Sequence, residues 1–141
     1  MRAGRNRPSE DAQAKYLADV SLAANFDELL ADARLAEKQF RTAQATAASP
    51  AEQFVLAKRL DAALTAVMRS AFAAVRAEIG PRGYDDRIFK RKAMATPAVH
   101  ALQAEAERLL TMRETHRLTG IPARPAPIGV GAESMAWEPA H

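Results

Sequence analysis

The chain has 141 residues, 48% of them hydrophobic and 26% charged, a formal net charge of +3 and no cysteine. Its size favours one domain, and its balance is that of a protein able to bury a core in water. The lack of cysteine excludes disulfides, thiolate metal sites and cysteine nucleophiles, and no apolar run approaches the ~18 residues that read as a membrane-crossing helix.

Alanine is the strongest helix former, and 33 alanines make long helices the expectation. Together with 15 arginines against 5 lysines they also point to a GC-rich genome, bacterial or phage. Residues 1–9 read as a solvated basic arm, and they lead into no apolar segment of the kind a secretory signal needs. Ser9 is placed to cap a first helix, with Glu10 and Asp11 at its positive end. That helix is expected to reach about Ala24 and to bury Tyr16, Leu17, Val20 and Ala24. Asn25 is a break or a second cap, although nothing there forbids the helix from continuing.

From Phe26 to Ala47, apolar residues recur at helical spacing through Leu29, Leu30, Ala33, Ala36, Phe40 and Ala43. Ser49-Pro50-Ala51-Glu52 is the clearest boundary in the chain, with a cap, a proline at the first helical position and a glutamate three residues after the serine. The helix behind it is expected to run from Pro50 to Ile79, roughly 45 Å. Its stripe of Leu56, Leu60, Leu64, Val67, Ala71 and Val75 is widened by Met68, Phe72 and Ile79, which suits a central helix with partners on two sides. Gly80-Pro81-Arg82-Gly83 ends it. A short charged connector follows, with one or two helical turns behind Asp85. Thr96-Pro97 repeats the cap-plus-proline start, and a last amphipathic helix ends near Leu118, with Gly120 behind it. Beyond lie a proline-spaced segment, 121–128, and an aperiodic end.

The expected fold is therefore all-α: three to four helices, a long central helix over about 50–79, an extended N-terminal arm (1–9) and a proline- and glycine-containing tail (121–141) around a helical domain (10–120). Charge is unevenly spread. Residues 10–37 hold seven acids against two bases, a balance of −5, and residues 80–124 hold nine bases against five acids, a balance of +4. Such asymmetry permits head-to-tail assembly or anion binding.

The best nucleic-acid candidates are Arg82, Arg87, Lys90, Arg91 and Lys92, interleaved with Tyr84 and Phe89, because phosphates need clustered cations and bases stack on aromatic rings. Arg113 and Arg117, four residues apart on the last helix, are further anion contacts. The alternative is that the aromatics tuck into the core while the cations stay solvated. His100 and His116 fall on opposite helix faces, so both are expected on the surface and neither in a metal site. Asp85-Asp86 reads as a helix cap rather than a catalytic pair, and no phosphate loop or Ser-His-Asp set is legible. Catalytic, cofactor and metal residues are accordingly expected to be absent. In the tail, Ile128, Val130, Met135 and Trp137 are the expected partner-binding residues, with Trp137 as anchor. The composite expectation is a non-enzymatic structural or adaptor subunit, most specifically a bacteriophage particle component, cytoplasmic or in the virion. Its partners would be other protein subunits in a homo- or hetero-oligomer. The alternative is a small helical nucleic-acid-binding protein.

Overall fold

Ser9 sets the first boundary: its hydroxyl accepts the Ala12 N–H at 3.0 Å, and Glu10 and Asp11 occupy the first turn. A computed structural model describes residues 7–122, and within them all regular structure is helical. The helices are α1 (Glu10–Ala23), α2 (Phe26–Ala45), α3 (Pro50–Ile79), α4 (Arg87–Met94) and α5 (Pro97–Thr115). A 3-10 turn, Pro81–Tyr84, joins α3 to α4, and a π-helical turn, His116–Gly120, prolongs α5. Five helices stand where three to four were expected, because the chain does break at Asn25 and the charged connector is itself helical. The expected tail contacts at Ile128, Val130, Met135 and Trp137 lie outside the described residues.

The boundary at Ser49 forms as its sequence requires. Ser49 Oγ accepts the Glu52 N–H at 3.1 Å, Pro50 opens α3, and the helix runs 30 residues to Ile79. Gly80 ends it at φ +98°, a conformation in which any side chain is strained. Asp86 caps α4 by accepting the Phe89 N–H at 2.9 Å, while Asp85 reaches back to accept the Ser9 N–H at 2.8 Å. Thr96 occupies the N-cap position of α5 with Pro97 behind it, as expected, but makes no side-chain cap bond; its hydroxyl donates instead to the Ala93 carbonyl at 2.7 Å. The end of α2 carries a different device: Ala47 adopts φ +53°, and the Ala48 and Ala47 N–H groups donate to the carbonyls of Ala43 and Gln44. This is a helix-terminating motif in which glycine is the usual residue.

α3 is the spine. Leu60, Leu64, Val67, Met68, Ala71, Val75 and Ile79 are buried along it, against Ala33, Ala36 and Phe40 of α2 and Val99, Ala106 and Leu109 of α5. α1 lies on the C-terminal half of α3, where Ser70, fully buried, donates from Oγ to the Leu22 carbonyl at 2.9 Å. The inward face of α1 is not the one its apolar residues mark. Ala12 is its one fully buried residue, while Leu17 is 57% exposed and Val20 40%; Tyr16 is half-buried and Ala24 exposed. The face turned to α3 carries Ala12, Tyr16, Asp19 and Ala23, because the ion pair of Asp19 with Arg76 of α3 draws that side inward.

Candidate docking groove and basic cleft

α2 leads into α3 through a tight reversal, and α5 returns along α3 with Arg113 beside Met68 and Arg117 beside Asp61. Both helices therefore run antiparallel to α3 and parallel to each other. Between them lies an open groove of about 710 Å3. Its floor is Leu60 and Leu64 of α3, its walls carry Leu30 and Phe40 on one side and Leu109 and Met112 on the other, and charged residues such as Arg34, Arg41 and Arg108 rim it. The apolar base is itself well covered, with Leu60, Leu64 and Phe40 each 5% exposed and Leu109 2%, whereas Met112 on the α5 wall is 42% exposed.

The groove is closed at one end by His116. Its ring meets Phe40 edge-on at 5.7 Å between centroids, and its Nε2 lies 2.8 Å from the Ala57 carbonyl, so that nitrogen carries the proton and donates. His116 is 8% exposed, contrary to the surface position expected of it, whereas His100 is exposed. Register accounts for the difference: His116 follows the buried Leu109 by seven residues, two helical turns, and so falls on the side of α5 turned toward the core. Gly120 lies directly against the ring, where an added Cβ would sit 2.5 Å from Nδ1.

Polar groups within the fold pair with one another, except that Arg113 Nε is buried without a hydrogen-bond partner. Arg76 donates to both Asp19 oxygens, at 2.8 and 3.1 Å, and the Tyr84 hydroxyl donates to the same carboxylate. Burial alone would raise the Asp19 pKa, but the hydrogen bonds from Arg76 and Tyr84 and the Arg76 charge hold it below the ordinary carboxylate value. Burial and the neighbouring carboxylate push the Tyr84 phenol up. The Arg117 hydrogen bonds, at 2.6 and 3.3 Å, hold Asp61 low despite its burial. Arg113 lies in the cover of α3, with Nη1 3.6 Å from Met68 Sδ. Arg113 and Arg117 thus sit on the flank of α5 away from the groove, beside Met68 and Asp61, roughly 17 Å and 27 Å along α3 from its end at Ile79, where the cations of α4 gather.

Those cations gather where α3 ends. Arg82, Arg87, Lys90, Arg91 and Lys92 are all exposed, and a cleft of about 580 Å3 is lined by Arg7, Arg82, Arg87 and Arg91 together with Asp85, Asp86 and Ile88. Arg82 is engaged twice, with Asp86 at 3.2 Å and over the Phe89 ring at 4.6 Å. The interleaved aromatics are not presented to solvent: Phe89 packs against the core and Tyr84 is held by Asp19. Ile88 instead stands out among the cations, 70% exposed. Among the described residues, no three histidine or carboxylate side chains converge as metal ligands, and no helix is long and apolar enough to cross a membrane.

No protein-family model matches the chain, and neither a curated protein nor a solved structure does. The functional reading therefore rests on the groove and the cleft themselves. Met112 and Leu30 are the groove residues whose part is hardest to see in the sequence. Their one signal is spacing, since Leu109, Met112 and His116 continue one side of α5 at intervals of three and four.

Proposed function

We propose that the protein is a non-enzymatic structural or adaptor subunit of a larger assembly whose C-terminal tail docks on neighbouring subunits. The observation that supports this is the open groove between α2 and α5, where Met112 stands exposed beneath a charged rim. The interior polar groups support the non-enzymatic part. Asp19, Arg76 and Tyr84 are engaged with one another, Asp61 with Arg117, and His116 with a backbone carbonyl, and each of these contacts ties two elements together. A bacteriophage particle component is the most specific form of the reading, resting on small size and an alanine- and arginine-rich composition. Sedimentation across a concentration series is the test. The reading expects species larger than one chain, and a monomer at every concentration counts against it.

A second reading, a nucleic-acid-binding protein, draws on the exposed cations of α4 and the adjoining cleft. With Phe89 and Tyr84 turned away, such binding would run through phosphates alone and be insensitive to sequence. Titration with duplex DNA at two salt concentrations separates the two, since phosphate binding weakens steeply with salt.

A further inference from the structure

α2 and α4 present to solvent two faces of the same pattern and opposite charge. On α2, Glu28, Ala31, Asp32 and Leu35 share one side of the helix, because residues three, four and seven apart fall on one face. All four are exposed, Leu35 at 55%. On α4 the matching positions are Ile88, Arg91, Lys92 and Ala95, the last being the residue that closes the helix. These too are all exposed, Ile88 at 70%. Each face spans two turns, about 10 Å, and sets one large apolar residue beside two like charges. We infer that α4 of one copy of this chain docks on the outer face of α2 of a second copy, head to tail. This rests on the assembly reading above and names a contact for it.

Charge and exposure together select that occupant. Among the described residues, Glu28, Asp32, Arg91 and Lys92 take part in no ion pair, unlike Asp19 and Asp61, which are paired within the fold. The exposure of Leu35 and Ile88 shows that neither face is covered inside its own chain, so a second copy is what brings them together. A phosphate backbone would engage Arg91 and Lys92 but has no use for Ile88 or for the α2 face.

The pattern also sets the register. With the helices antiparallel, Ile88 lies on Leu35, Arg91 comes level with Asp32, and Lys92 falls between Glu28 and Asp32. Lys38, one turn beyond Leu35, falls level with Asp85, ahead of α4. With the helices parallel, Ile88 would lie on the Glu28 carboxylate and Leu35 would meet only Ala95. The two faces are different surfaces of one chain, so the contact is heterologous. It propagates from copy to copy, or closes into a ring, instead of stopping at a pair.

The experiment uses the full chain at low and high salt. Sedimentation across a concentration series should show a series of species above one chain that recedes as salt screens the contact. Glu28→Lys with Asp32→Lys should weaken association roughly tenfold, and so should Arg91→Glu with Lys92→Glu. All four positions are exposed, and circular dichroism should stay that of the parent. Where a reversal unfolds its helix, the neutral pairs Glu28→Gln with Asp32→Asn and Arg91→Gln with Lys92→Gln carry the same test. Combining the four reversals in one chain should restore association, because the two faces have then exchanged sign. An equimolar mixture of the two reversed chains should associate as the parent does. If the combined chain stays as weak as either alone, the faces do not meet and the inference is overturned. If both reversed chains associate as the parent does, the contact lies elsewhere; the inference fails and the assembly reading stands. If reversal at Arg91 and Lys92 abolishes binding to duplex DNA while reversal at Glu28 and Asp32 leaves self-association intact, α4 is a nucleic-acid surface and the inference is overturned. A monomer at every concentration overturns both.

Discussion

The His116 ring joins α5 to the middle of the Ala57 turn in α3, a carbonyl 59 positions earlier in the chain, and Gly120 is the residue that makes room for it. Gly120→Ala should therefore act as a core mutation although it sits at a helix end. Its Cβ would fall 2.5 Å from Nδ1 and 3.3 Å from Cε1, forcing the ring off Ala57 and Phe40. We expect a loss of about 1–3 kcal/mol, in the range of overpacked cores, read by urea denaturation. His116→Ala should cost about 2 kcal/mol for the lost hydrogen bond and aromatic edge. A neutral Gly120→Ala would show that the ring is not held there.

Acid should weaken the fold through two carboxylates. Asp19 and Asp61 both have pKa values below the ordinary 3.8 in the folded chain. Their contribution is thus present in full above the unfolded value and is lost as pH falls through the folded ones. Stability should be flat from neutrality to about pH 5 and decline below about pH 4. The double variant Asp19→Asn, Asp61→Asn should be less stable at neutral pH but show a shallower decline, measured as melting temperature against pH.

Two serines occupy equivalent cap positions but should not be equivalent in cost. Ser49→Ala removes one bond, to the Glu52 N–H, and should lower stability by about 1 kcal/mol. Ser9→Ala removes the Ala12 cap and also the hydroxyl contact to Asp85 at 3.2 Å. Its effect should fall on α1 selectively, as faster amide exchange over Glu10–Ala23 than over α3.

Ala47→Gly should stabilise the protein. Alanine at φ +53° bears a left-handed strain of about 1 kcal/mol, partly offset by the greater freedom of glycine in the unfolded chain. A gain of roughly 0.5 kcal/mol is expected, and a loss would mean that α2 does not end in this motif.

Removing residues 125–141 should leave helical content nearly unchanged by circular dichroism while weakening assembly. A truncated chain that associates as the full one does would separate the tail from the interface.

Helix starts were legible wherever a side-chain cap and a proline coincide, as at Ser49-Pro50, because both act within one turn of chain. The end of α2 was not, since its left-handed residue is an alanine and nothing local marks it. The face of α1 was misread for a different reason. Leu17 and Val20 suit a core by type, but the partners of Asp19 come from Arg76 and Tyr84, 57 and 65 positions away, and long-range pairing is invisible to local periodicity. Ser70 is similar, a polar residue within an apolar stripe whose acceptor is the end of another helix. The cations of α4 were legible as a patch, but the turning inward of Tyr84 and Phe89 was not. The groove was the least legible part, since it exists only in the space between two helices that share a third.

That sharing shapes how the protein tolerates change. α2 and α5 each rest on α3, and they come together where Phe40 meets His116. Substitutions well away from that junction, such as at Ala36 and Val99, should be energetically additive, while either should couple to a change at Leu64 or Val67 beneath them. The two walls can then drift apart in sequence without compensating one another, whereas α3 must satisfy both at every step.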